Sequence, residues 1–181
     1  MSYARKICQE LIADREEAGC CRRSELIALI LLRGFLVLGG GHYYLRIAVG
    51  YSSLARHLFQ LIKGSGFESP QVIKQQDRRL GKTLYMVQVP GKEAVDNLLG
   101  YLGLYAGKGQ PGISRKAHRK IKKRCCLRAF LRGSFLAGGS MSISRSGYHL
   151  EINCGYREDA LLIERFMERF QIRAFIRERH Q

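Results

Sequence analysis

Residues 20–34 read Cys20-Cys-Arg-Arg-Ser-Glu-Leu-Ile-Ala-Leu-Ile-Leu-Leu-Arg-Gly34, and 105 residues later the chain reads Cys125-Cys-Leu-Arg-Ala-Phe-Leu-Arg-Gly-Ser-Phe-Leu-Ala-Gly-Gly139. The stretches align without a gap: Cys20-Cys21 falls on Cys125-Cys126, Leu26 on Leu131, Leu31 on Leu136 and Gly34 on Gly139. The register then holds downstream, with Tyr43 on Tyr148, Leu45 on Leu150, Ile47 on Ile152, Gly50 on Gly155, Tyr51 on Tyr156 and Ala55 on Ala160. These are the positions that set a backbone: turn glycines, apolar residues alternating at period two, and apolar residues at helical spacing. The chain reads as a tandem duplication.

The first copy gives the unit. Glu25 to Arg33 is apolar nearly all round, the mark of a buried helix, and Gly34 ends it. Phe35–Leu38 and His42–Val49 form a hairpin through Gly39-Gly40-Gly41, and Ser52–Lys63 is a helix whose Leu54, Leu58, Leu61 and Ile62 make one stripe. Pro70–Gln76 and Thr83–Val89 make a second hairpin around Asp77-Arg78-Arg79, and Ala94–Leu104 closes the unit as a helix. An N-terminal helix precedes it, capped by Ser2 and docked by Ile7, Leu11 and Ile12. The fold class is therefore α+β, a duplicated α-β-β-α-β-β-α unit.

The second copy repeats the buried helix (127–138), the hairpin (141–143 and 148–154) and a helix with Leu162, Ile163, Phe166 and Met167 inward, started by Glu158-Asp159 at its positive dipole end. Gln181 corresponds to Gln76, so this copy is expected to be truncated after its third strand. The expected organisation is residues 1–104 for the N-terminal helix and first repeat, 105–118 for a Gly/Pro and basic linker, and 119–181 for the incomplete second repeat. Gly107-Lys-Gly-Gln-Pro-Gly112 satisfies G-x-G-x-x-G, but a helix rather than a strand precedes it and no acid follows about 20 residues on, so it is not a dinucleotide loop.

Charge points to an anionic partner. Thirty-one Lys and Arg against fifteen Asp and Glu leave +16, and residues 115–128 hold eight basic residues and no acid, expected as a basic helix. The 46% hydrophobic content suffices for a core. The charged N-terminus has no signal-peptide h-region and the longest apolar run, Leu26–Leu32, is far short of the roughly 20 residues of a membrane span. A cytoplasmic, nucleoid-associated protein with reduced cysteines and no membrane partner is expected.

The two helices, Leu26-Ile-Ala-Leu-Ile-Leu-Leu-Arg-Gly34 and Leu131-Arg-Gly-Ser-Phe-Leu-Ala-Gly-Gly139, resemble the LAGLIDADG helices of homing endonucleases. The resemblance implies that the paired helices join two halves whose sheets lie in the DNA major groove. Met1-Ser-Tyr-Ala, the Cys-Cys before each helix, the run from Cys125 to Ser140 and Tyr148-His-Leu-Glu-Ile152 further resemble the WhiA family of bacterial regulators, which joins a degenerate LAGLIDADG domain to a helix-turn-helix domain. That likeness implies DNA binding and transcriptional control of sporulation or cell division. The helix-turn-helix part has no counterpart in these 181 residues.

Residue chemistry argues against cleavage. Homing endonucleases place a carboxylate at the penultimate motif position, because the ions that activate water need hard oxygen ligands. Here those positions hold Arg33 and Gly138, and Leu31 and Leu136 replace the other motif acid. Arg33 is then either a phosphate contact or a helix-end residue at the C-terminal dipole. With Leu45, Ile47 and Val49, and their counterparts Leu150, Ile152 and Cys154, facing the core, Tyr44, Arg46, His149, Glu151 and Asn153 turn to the opposite face. Tyr44, Arg46, His149, Glu151 and Asn153 are candidate base-edge readers, and Lys74, Lys82 and Arg145 candidate phosphate contacts. Arg115, Lys116, Arg119, Lys120, Lys122, Lys123 and Arg124 form the expected electrostatic footprint.

The vicinal cysteines lack C-x2-C spacing, so packing at the helix starts is their expected role, with four thiolates sharing one ion as the alternative. His42, His57, His118, His149 and His180 are scattered and make no catalytic constellation. No cofactor or metal is expected. The sequence reads as a non-catalytic DNA-binding transcriptional regulator of sporulation or cell division, with double-stranded DNA as partner. A scaffold that binds another regulatory protein, its DNA binding having resided in a helix-turn-helix domain, is the alternative; a homing endonuclease ranks last.

Overall fold

A computed structural model describes residues 3–14, 18–67, 70–77, 82–108, 110–116, 121–144 and 147–178. After α1 (Tyr3–Ala13), the first copy runs α2 (Gly19–Arg33), β1 (Gly34–Gly39), β2 (His42–Val49), α3 (Ser52–Lys63), β3 (Gln71–Asp77), β4 (Lys82–Pro90) and α4 (Lys92–Leu102). Its sheet has the order β1-β2-β4-β3 with antiparallel neighbours. Gly40 and Gly41, both at positive φ, make the tight β1–β2 turn that other residues resist. Period-two alternation sends Leu45, Ile47 and Val49 into the core beside Val87 and Val89. Leu54, Leu58 and Ile62 of α3 and Val95, Leu98 and Leu102 of α4 are buried in the same core.

The second copy consists of α5 (Arg124–Gly138), β5 (Gly139–Ser144), β6 (Gly147–Ile152) and α6 (Arg157–Glu168), with β5 and β6 forming a separate two-stranded sheet. Residues 172–178 hold no strand, contrary to the expected third strand. In the first copy β3 bonds to β4 alone, and among the described residues no strand in the second copy stands where β4 would. The expected basic helix is also shorter than its charge run: α5 begins only at Arg124, and residues 121–123 are not helical. Like charges three and four residues apart repel on a helix, and cations at its start oppose the dipole.

α2 and α5 run side by side in the same direction. Their cysteine pairs meet at one end, and at the other Arg33 Nε donates to the carbonyl of Ala137 at 2.6 Å. Between these ends Gly133 faces its duplicate Ala28: a Cβ on Gly133 would stand 2.6 Å from the Glu25 carbonyl and 3.0 Å from the Ala28 methyl. The missing side chain lets the helices approach closely. α1 packs against α3, β5 and α5, so it touches both copies, and its buried Cys8 accepts the Tyr51 hydroxyl at 2.8 Å. Ile7, Leu11 and Ile12 dock as expected. Ser2, the Arg78-Arg79 turn, Arg119, Lys120, Arg145 and the side chain of Lys82 lie outside the described residues.

Candidate nucleic-acid interface

The first sheet turns one face away from the core, and a connected polar row crosses it. Arg46 on β2 stands opposite Gln88 on β4, which stands opposite Gln71 on β3. Arg46 Nε donates to Gln88 Oε1 at 2.9 Å, and Gln88 Nε2 donates to Gln71 Oε1 at 3.2 Å. Along β2, the Arg46 guanidinium lies 5.4 Å from the Tyr44 ring centroid; the Tyr44 ring stacks on His42, with Oη 2.9 Å from Nδ1. Guanidinium, carboxamide and imidazole groups on a shallow sheet face are the groups that make paired hydrogen bonds to base edges. Gln88 and Gln71 were missed in the sequence reading, although alternation about the inward Val87 and Val89 puts Gln88 outward by the rule already applied to Arg46.

Lys74 is placed otherwise. It stands opposite Tyr85, which stands opposite the core residue Val49, so Lys74 belongs to the helix-side face at the sheet edge. It is exposed there, away from the Tyr44–Arg46 row.

Arg33 is placed as a helix-end residue. It is exposed, yet its Nε latches the last turn of α5 through Ala137, as a cation satisfying orphan helix carbonyls does. At these helix ends Arg33 and Gly138 supply a guanidinium and no side chain, neither of them the oxygen ligand that a hard metal ion needs. Arg115 is committed to protein: its guanidinium pairs with the buried Asp159, donates to the Leu31 carbonyl at 3.3 Å and lies 3.5 Å from the Tyr156 ring centroid. Burial pushes the Asp159 carboxyl up, and Arg115 opposes that shift.

The rest of the basic run lies elsewhere. Lys116 is exposed near Arg115. Lys122, Lys123 and Arg124 are exposed at the start of α5, with Arg124 5.1 Å from the Phe170 ring centroid. Fifteen residues of helix, about 21 Å at 1.5 Å per residue, separate that start from the Arg33 end where β1 sets out. The expected footprint is therefore split between two ends of the helix pair. On β6, His149 lies with Nε2 3.1 Å from Glu151 Oε1, and both share the face opposite Leu150. Asn153 follows the strand and is exposed, its backbone N–H donating to the Gly138 carbonyl.

One polar cluster the sequence did not disclose sits between the copies. Glu25 is fully buried; its carboxylate accepts from His57 Nε2 at 2.7 Å and from Arg132 at 2.6 Å, while Arg132 also donates to the Asp14 carbonyl. All its hydrogen bonds run within the protein, which makes it a tie between α2, α3 and α5. Among the described residues no helix is long and apolar enough to cross a membrane.

Paired parallel helices, each running into a β-hairpin, define a LAGLIDADG-like protein. The crystal structure of I-DmoI in complex with DNA and Mn superposes with a TM-score of 0.56 at 15% identity, covering 86% of this chain and 81% of that one. The crystal structure of the N-terminal LAGLIDADG domain of DUF199/WhiA superposes at 0.71 with 23% identity, covering 99% and 80%. The family model of the WhiA N-terminal LAGLIDADG-like domain matches residues 19–105, and that of the WhiA LAGLIDADG-like domain matches residues 127–181. The chain belongs to the WhiA family. Among curated proteins, the probable cell division protein WhiA of Carboxydothermus hydrogenoformans is 34% identical over 171 residues, 94% of this chain and 54% of the relative. That of Shouchella clausii is 36% identical over 182 residues, 99% and 55%. The chain spans about half the length of these relatives.

Proposed function

We propose that this chain is a non-catalytic, double-stranded-DNA-binding part of a transcriptional regulator of cell division or sporulation, acting in the cytoplasm at the nucleoid. The observation that carries the reading is the outward row of His42, Tyr44, Arg46, Gln88 and Gln71 on the first sheet, beside a helix end that holds Arg33 and Gly138 in place of acids. In this reading Arg46, Gln71 and Tyr44 meet base edges, while Gln88, only 6% exposed between Arg46 and Gln71, holds those two in place. His149 and Asn153 of the second copy extend the surface. Cleavage is not proposed, since hard metal ions need oxygen ligands that these helix ends lack. The naming of the relatives as probable cell division proteins and the DNA in the I-DmoI complex support the assignment.

Fluorescence anisotropy on a short duplex across a salt series with magnesium, followed by a denaturing gel, tests it. About six phosphate contacts give a log-log slope of about −5. The expected result is such a slope with intact strands. Cut strands, or no binding at low salt, would overturn it.

A second reading has its own observation. Ile143, Tyr148 and Leu150 on the second sheet are 59%, 70% and 47% exposed, a strip fit for a protein partner. If the chain is such a scaffold, reversing the charge at Lys122 and Lys123 leaves partner capture intact, while Tyr148→Glu abolishes it.

A further inference from the structure

Four thiols converge where α2 and α5 begin. Cys20 and Cys21 are the second and third residues of α2, and Cys125 and Cys126 hold the same places in α5. The parallel course of the helices brings the pairs together, so that all four Sγ atoms lie within 4.8 Å of one another, with 4.0 Å inside each pair. We propose that these four cysteines bind one thiophilic divalent ion of the zinc class, clamping together the helix starts of the two copies.

The distances suit that chemistry. A tetrahedral ion with Zn–S bonds of about 2.3 Å sets its sulfurs about 3.8 Å apart. The pairs at 4.0 Å need almost no adjustment, and the cross-helix edges need to contract by at most about 1 Å to meet that spacing. The sequence-based objection was that vicinal cysteines lack the C-x2-C spacing that lets both thiolates of a pair reach one ion comfortably. Here each pair stands on the first turn of a rigid helix and supplies two corners, the other helix supplying the remaining two. Four soft thiolates select zinc-class ions over magnesium or manganese.

Charge and access agree. Four thiolates around a divalent ion leave excess negative charge, and both helices aim their positive ends at it. Neither helix has an acid in its first turn or a side-chain cap, so nothing acidic competes with the sulfurs for the positive ends, and Lys123 and Arg124 flank them. Cys21 and Cys126 are buried, Cys125 is half-buried and Cys20 is exposed, which gives the ion an entry path. Among the described residues this is the one grouping of three or more His, Cys, Asp or Glu close enough to hold a metal.

Titrating the reduced 181-residue chain with cobalt(II) under nitrogen tests the site. Saturation at one equivalent is expected, with a sulfur-to-cobalt charge-transfer band and the intense visible bands of a tetrahedral tetrathiolate, bleached by one equivalent of zinc. Cys20→Ser and Cys125→Ser each shift the bands and weaken binding, whereas Cys8→Ser leaves them unchanged. A measurement on the parent chain guards against misfolded variants: zinc is expected to protect Cys20, Cys21, Cys125 and Cys126 from alkylation, read by mass spectrometry. Absence of the sulfur charge-transfer band, a pale octahedral spectrum, or alkylation of those four cysteines unaffected by zinc would overturn the proposal.

Discussion

Leu45 and Leu150 hold the same place in two copies of one unit, yet Leu45 is fully buried and Leu150 is 47% exposed. The strands themselves match; their surroundings do not. β2 has β4 on its second edge and α4 over its inner face, and β6 has neither among the described residues. A strand's apolar face is thus a request for a partner element, and burial follows only where that element arrives. Position 25 and its duplicate 130 teach the converse. Glu25 and Phe130 differ completely, but both are buried, because Glu25 gains His57 and Arg132 while Phe130 packs edge-on against Phe166 with centroids 5.0 Å apart.

Breaking the asymmetric tie should cost most. Glu25→Ala leaves the Arg132 guanidinium without its carboxylate in a buried site, and a loss of about 3–5 kcal/mol is expected in urea unfolding. Leu45→Ala should cost about 2–5 kcal/mol, and the duplicate change Leu150→Ala less than about 1 kcal/mol, since little burial is lost there. Gly133→Ala, which installs the first copy's residue, should cost about 1–3 kcal/mol by forcing α2 and α5 apart. Ala28→Gly, its mirror image, adds no atom to the contact and should cost only the glycine penalty of about 1 kcal/mol.

A smaller effect contrasts Cys154 with its counterpart Val49. Burial pushes the Cys154 thiol up to about 11, with Asp159 adding to the shift and Arg33 and Arg115 opposing it. Its raised value means that the folded chain holds this proton more tightly than the unfolded one. The resulting stability is full below the unfolded value near 9 and is lost as pH rises through about 11. Cys154→Val should therefore flatten the alkaline fall in the urea midpoint, and Cys154 in the parent should alkylate slowly at neutral pH because the thiolate is scarce.

The duplication, the order of elements and the limits of α3 were legible because glycine turns and apolar periods are local signals. What the sequence could not convey was which faces meet. Lys74 was read with Lys82 and Arg145 as a phosphate contact of the DNA face, but strand register puts it on the helix side of the sheet. Arg115 and Lys123 looked like parts of one basic run, yet one is held by Asp159 at one end of the helix pair and the other stands at the opposite end. The Glu25–His57–Arg132 tie joins residues up to 107 apart that share no motif. The cysteine pairs were visible as residues, but their convergence depends on two helices running parallel, a tertiary fact.

The central claim is that the outer face of the first sheet is the DNA surface. Duplex affinity measured by anisotropy at fixed low salt for Arg46→Ala/Gln71→Ala, beside Lys122→Glu/Lys123→Glu, tests it most directly. Loss of bidentate base contacts of about 1–3 kcal/mol predicts a drop of roughly tenfold or more for the sheet pair, and a clearly smaller change for the charge reversal a helix length away. Full affinity in the sheet pair together with collapse in the charge-reversed protein would contradict the account.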